Sequence, residues 1–94
     1  MAEKKLTKVE MKEIKRKLRI ESQEYIKTIA DMIKAFREKQ GMTQRQVAKK
    51  AGIFQQQYAR IESGKCNFTL STIVDIAYAM DATVEVRFVP LRGK

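Results

Sequence analysis

The chain has no histidine, no tryptophan, one cysteine, one proline and four glycines among its 94 residues. Without histidine it has no Cys–His pair for nucleophilic catalysis and no cluster with metal-ligand spacing. The few glycines form no phosphate-cradling loop. A non-enzymatic chain without metal or cofactor is therefore expected. Cys66 cannot close an intrachain disulfide, which fits a reducing cytoplasm. It reads as a small, partly buried filler; its place beside Lys65 leaves redox sensing as the alternative. No apolar run approaches membrane-spanning length, and the N-terminus is charged rather than apolar, so neither a span nor a signal segment is expected.

Negative charge is also scarce: 11 acidic residues face 20 Lys and Arg, a net +9. That balance favours a polyanionic partner, nucleic acid or an anionic membrane surface, over charge that only solubilises. The length implies one domain, which buries only about 60–65% of its unfolded surface, so burial against a partner chain would help it.

Residues 43–62 organise the chain. Thr43 and Gln46 form a capping-box pattern that starts a helix. Val47, Ala48 and Ala51 follow on one helical face. Gly52 supplies the left-handed residue that ends the helix, and Ile53 turns back toward the core. A second helix carries Tyr58, Ile61 and Phe54 at one-face intervals, with Gln55, Gln56, Ala59 and Arg60 on the other side. Ala48 is small where two helices meet sharply over a short turn. The stretch reads as a helix-turn-helix DNA-binding module.

The matches Thr43-Gln44, Val47-Ala48, Gly52-Ile53, Gln55, Arg60-Ile61-Glu62, Gly64-Lys65, Asn67, Leu70 and Ile76-Ala77 resemble the Cro/phage-repressor (Xre) helix-turn-helix family over residues 33–81. The resemblance implies a mainly α, lambda-repressor-like bundle. Two positions depart from the family pattern. Phe54 stands where Ser or Thr caps the recognition helix, and Tyr58 stands where a β-branched aliphatic is usual. Tyr58 implies either a wider core or a hydroxyl that reaches phosphate.

A recognition helix presents its N-terminal residues to base edges in the major groove of double-stranded DNA. Gln suits adenine because its amide accepts from N6 and donates to N7. Gln55, Gln56 and Gln57 are thus the base-contacting candidates, with Arg60 for guanine or a flanking phosphate. Arg60 could equally pair with Glu62. Arg45, Lys49, Tyr58, Lys65 and Asn67 are the phosphate candidates. By similarity to phage repressors, Gln44 would bond a phosphate and brace Gln55. Asn67 has a local alternative, a turn through its own backbone.

Residues 1–20 hold eight Lys or Arg against three Glu. Thr7 and Glu10 repeat the capping box, and Met11, Ile14 and Leu18 recur at helical spacing. This extra N-terminal helix could pack on the domain or a partner, serve as an arm on DNA phosphates, or lie on a membrane. Its thin apolar face argues against the last. Residues 22–40 form an amphipathic core helix through Tyr25, Ile26, Ile29, Ile33 and Phe36, with Lys34, Arg37 and Lys39 outside and Gly41 as the stop. After a loop at 64–68, Thr69 or Ser71 caps a last helix. Its buried stripe is Leu70, Ile73, Ile76, Ala77 and Met80, and Asp81 closes it.

At residues 83–90 the period changes to two, and Val84, Val86 and Phe88 alternate with Glu85, Arg87 and Val89 before Pro90. A lone strand leaves its backbone unpaired. The expected remedy is antiparallel pairing with the same strand of a second subunit through Val84, Glu85, Val86, Arg87 and Phe88; β-augmentation of another protein is the alternative, and a frayed tail is a third option against which the apolar face argues. The organisation expected is a basic helix or arm at 1–20, a helix-turn-helix domain at 21–82, a dimerisation strand at 83–90 and a tail at 91–94.

An Xre module with an added N-terminal segment and final strand resembles HigA-like antitoxins. That resemblance implies a cytoplasmic, nucleoid-associated homodimer that represses its own operon from an inverted repeat and binds a RelE-like toxin. The competing class is a protein-interaction module with weak, non-specific DNA binding.

Overall fold

A computed structural model of the chain describes residues 5–90. Among these the order is α1 (Lys8–Lys39), α2 (Gln44–Ala51), α3 (Gln55–Glu62) and α4 (Leu70–Ala79). The tail expected at 91–94 and residues 1–4 lie outside the described residues.

The two helices expected at the N-terminus are one. Thr7 starts α1 through a complete capping box with Glu10. Neither glycine nor proline interrupts the chain before Gly41. The Ser22 hydroxyl donates back to the Leu18 carbonyl at 2.7 Å, so it is satisfied inside the helix instead of capping a new one. With 32 residues α1 is about 48 Å long, which accounts for most of the 53 Å long dimension. The radius of gyration, 17.1 Å, exceeds the roughly 13 Å of a compact chain of this length. The unpacked first half of α1 contributes to the excess. Val9, Met11, Ile14, Leu18 and Ile20 are all exposed, so the expected stripe has no neighbour among the described residues. Tyr25 is exposed as well, and packing begins only with Ile26, Ile29, Ala30 and Ile33.

The core gathers Ile33 of α1, Val47 and Ala48 of α2, Tyr58 and Ile61 of α3, and Ile73, Ile76, Ala79 and Met80 around α4. Helix α2 lies against both α3 and α4, and α1 lies against α3. Ile53 packs on the cluster, as expected of the residue after the turn. Leu70 does not: it occupies the first position of α4 and is exposed, so the stripe starts at Ile73. Asp81 ends that helix in the left-handed region, φ 57°, with the Ala82 N–H bonded to the Ala77 carbonyl at 2.8 Å.

The C-terminal strand is not formed. Residues 83–90 carry no regular secondary structure, and no strand exists among the described residues to pair with them. A β-strand is held by a neighbour's backbone, so alternation alone does not make one. Val84 tucks against the core, whereas Val86, Phe88 and Val89 are exposed.

Candidate nucleic-acid interface

Helix α3 is built from behind. Thr43 accepts from the Gln46 N–H at 3.1 Å, and the Gln46 side chain accepts from the Thr43 N–H at 2.8 Å, which completes the second capping box. Gly52 ends α2 at φ 75°, and the Ile53 N–H donates to the Ala48 carbonyl at 3.0 Å. These bonds fix the turn that sets α3 against α2, with Ala48 buried in the angle.

One face of α3 is then sealed. Tyr58 is 0% exposed, and Ile61 and Glu62 are buried. This places Tyr58 in the core and overturns its expected contact with phosphate: the ring fills the space a smaller aliphatic would leave, and no atom reaches solvent. Its hydroxyl is buried with no hydrogen-bond partner among the described residues, close to the Glu62 carboxylate, and burial pushes its pKa up.

Glu62 is the hub beneath the helix. Arg37 grips it with two parallel bonds, Nε to Oε2 at 2.9 Å and Nη2 to Oε1 at 2.7 Å. The remaining Arg37 nitrogen, Nη1, donates to the Met42 carbonyl at 2.8 Å, so one guanidinium ties α1 to both the α1–α2 turn and the end of α3. Burial is the largest influence on the Glu62 carboxyl and pushes its pKa up; the hydrogen bonds from Arg37 and Gln44 and the nearby Tyr58 hydroxyl together outweigh it and hold the pKa below its ordinary value. The guanidinium pKa is raised by the same carboxylate.

Sequence reasoning puts Arg37 on the outer surface and offers Glu62 to Arg60; the structure pairs Arg37 with Glu62 instead. Spacing holds the signal: Arg37 stands one helical turn after Ile33, and Glu62 one turn after Tyr58, so both lie on buried faces. Gln44 also bonds here: its Nε2 donates to Glu62 Oε1 at 3.2 Å, which leaves its second N–H and its carbonyl oxygen for other partners.

The opposite face of α3 is free. Gln55, Gln56, Gln57 and Arg60 are all exposed. Gln56 and Arg60, four residues apart, share the middle of that face, with Gln55 and Gln57 on its two shoulders. Arg60 stands outside both ion pairs found among the described residues, Lys27–Asp31 and Arg37–Glu62. Gln56, Gln57 and Arg60 line an open groove with Phe54, Asn67 and Thr69. Asn67 spends its Oδ1 on the Phe68 N–H at 2.9 Å, the local alternative, which leaves its amide nitrogen as a donor. Arg45, Lys49 and Lys65 are exposed on the flanking elements. Cys66 is partly buried against the core, where a filler would be.

The loop after α3 is seated on α1. Gly64 has φ 75°, and a β-carbon there would stand 2.7 Å from Lys27 Cδ and 3.3 Å from Lys27 Cα. Glycine is thus needed both for the turn and for the close approach.

Among the described residues no helix is long and apolar enough to cross a membrane. A helix-turn-helix family profile matches residues 33–85. An uncharacterised HTH-type transcriptional regulator of Archaeoglobus fulgidus is 39% identical over 57 residues, which cover 61% of this chain and 81% of that protein. No solved structure matches. With the profile spanning more than half of the chain, and a fold whose second and third helices meet over Gly52 with the outer face of α3 left open, the chain belongs to the Xre-type helix-turn-helix family.

Proposed function

We infer that the protein is a transcriptional regulator that reads double-stranded DNA with α3 in the major groove. The observation that carries this reading is the division of α3 into two faces: Tyr58, Ile61 and Glu62 sealed, and Gln55, Gln56, Gln57 and Arg60 offered to solvent beside exposed cations. Gln56 and Arg60 are the central base-reading pair, because they share the outermost line of the helix. Gln55 and Gln57 read at the shoulders. Arg45, Lys49, Lys65 and the Asn67 amide hold phosphates. Gln44 holds a phosphate with its remaining N–H, while its bond to Glu62 fixes the amide in place. The +9 net charge supplies the non-specific attraction on which base contacts add discrimination.

One eight-residue recognition helix spans few base pairs. A dimer would read an inverted repeat with half-sites about 34–36 Å apart. The segment Val84, Glu85, Val86, Arg87 and Phe88 is the proposed dimer contact. Phe88 is 100% exposed, and among the described residues the segment has no strand beside it. Occupation of a promoter by such a dimer gives repression.

The test is footprinting on the DNA upstream of the protein's own gene, with excess random competitor at physiological salt. A protected inverted repeat is expected. Gln56→Ala should cost about 1–3 kcal/mol on the protected site and little on random DNA. Lys65→Ala should weaken both alike and flatten the salt dependence. Protection lost to the competitor would sink the specific reading and favour the protein-interaction module.

A HigA-like antitoxin is the second reading, favoured by the unpartnered stripe Met11, Ile14 and Leu18 on α1. A RelE-like toxin would be its partner, and co-purification with the product of the adjacent gene tests it.

A further inference from the structure

Four helices begin among the described residues, and three of them begin alike. Thr7, Thr43 and Thr69 each accept a backbone N–H from the first turn of α1, α2 and α4. Helix α3 begins with Phe54, which makes no side-chain cap bond. Its backbone is the ordinary extended cap conformation, φ −69° and ψ 145°, so threonine would fit there as it does in the other three. The ring is 83% exposed, so it contributes almost nothing to the core. Two local preferences are therefore broken at one residue: a hydroxyl cap is given up, and a large apolar ring is left in water. Among the described residues no side chain replaces the missing cap bond, and the ring takes no part in the core cluster. Departures of this kind concentrate where a residue serves a ligand.

The location says which ligand. Phe54 is at the N-terminal end of α3 and lines the same open groove as Gln56, Gln57 and Arg60. The floor of a major groove is polar at every base pair except for one feature, the C5-methyl group of thymine. An exposed phenyl ring beside amide readers matches that feature, and a phosphate or sugar oxygen offers it nothing.

We propose that Phe54 is a specificity-determining residue that packs its ring on the C5-methyl of a thymine at the edge of the half-site. The proposal rests on the DNA-reading function given above and deepens it. The glutamines address adenine through N6 and N7, while Phe54 selects thymine by an apolar contact. Serine or threonine at this position would cap α3 better and read this thymine worse.

The experiment separates this proposal from the reading beneath it. Wild-type protein selects DNA from a randomised duplex pool at physiological salt. Each thymine of the enriched site is then replaced singly by uracil, which removes only the methyl group. Binding is measured for wild type, Phe54→Ser and Phe54→Leu. Phe54→Ser restores a capping hydroxyl, so its fold is protected. The expected result is one thymine per half-site whose replacement weakens wild-type binding about four-fold, the worth of one buried methyl. Phe54→Ser should be indifferent to that replacement, and Phe54→Leu should keep part of the discrimination. An enriched site at which wild type and Phe54→Ser respond equally to every replacement overturns the role of Phe54 and leaves DNA reading standing. Failure to enrich any sequence overturns both.

Discussion

The two halves of α1 share one helix and one amino-acid style but not one fate. The second half buries Ala30 and Ile33, carries Gly64 against Lys27 and Ala30, and ends in the Arg37 clamp on Glu62 and Met42. The first half repeats apolar residues at the same spacing, yet leaves Val9, Met11, Ile14 and Leu18 exposed. It stands on its capping box, its helix-forming composition and its covalent continuity with the packed half. Periodicity marks a face that could be buried. Only a neighbour buries it.

The sharpest way to break the packed half is at its clamp. Arg37→Met removes the partner of a carboxylate that is 3% exposed, and should cost about 3–5 kcal/mol in urea unfolding. The pH dependence identifies the cause. In the wild type the folded-state pKa of Glu62 lies below its ordinary 4.5, so the stabilisation is complete above that value and is lost as pH falls through the folded pKa. In Arg37→Met the carboxylate is buried without its cation, its pKa rises, and acid relieves the strain. The gap between variant and wild type should therefore narrow as pH falls from neutrality toward 4.5. A gap that stays constant would mean that lost packing, rather than charge, explains the loss.

A smaller effect is expected where the α3–α4 loop meets α1. Gly64→Ala places a β-carbon 3.3 Å from Lys27 Cα in a left-handed conformation and should cost about 1–3 kcal/mol. The 2.7 Å approach to Lys27 Cδ is less decisive, because that chain end can move. Gly52→Ala has the same φ but open space around it, so it should cost less than Gly64→Ala. Equal losses would show that conformation alone, and not the seat on α1, sets the cost.

Much of the fold and of the α3 surface is legible in the amino-acid order. The Thr43–Gln46 box, the left-handed Gly52, the core stripe Ile73, Ile76, Ala77 and Met80, and the exposed Gln55, Gln56, Gln57 and Arg60 all follow from local rules, and local rules decide them. What is not legible depends on neighbours. The Tyr58 hydroxyl suggests a wet end and a phosphate, but its helical position places it with Ile61 on the sealed face. Charge alone assigns Arg37 to the surface and Glu62 to a near neighbour in sequence, while the bond that joins them spans 25 positions. Residues 83–90 alternate as a strand does, and alternation cannot supply the second strand. Leu70 and Tyr25 carry the right spacing one turn beyond where their neighbours end.

The finest test uses one motif twice. Thr7 and Thr43 cap their helices with the same reciprocal bonds, at 3.1 Å from each hydroxyl to the N–H it accepts. Loss of such a cap costs about 1 kcal/mol. Thr43→Ala should lower global stability by that amount, because α2 cannot loosen without disturbing Val47 and Ala48 in the core. Thr7→Ala should leave the global unfolding midpoint unchanged. The first turns of α1 would simply fray, since no buried side chain there unfolds with the core. Hydrogen exchange resolves the two cases: Thr7→Ala should speed exchange only at the amides near the start of α1, whereas Thr43→Ala should speed it throughout the core helices. If Thr7→Ala instead lowers the midpoint as much as Thr43→Ala, and does so in a concentration-dependent way, the first half of α1 is buried in solution against a second copy. The contrast between the halves would then belong to the monomer alone.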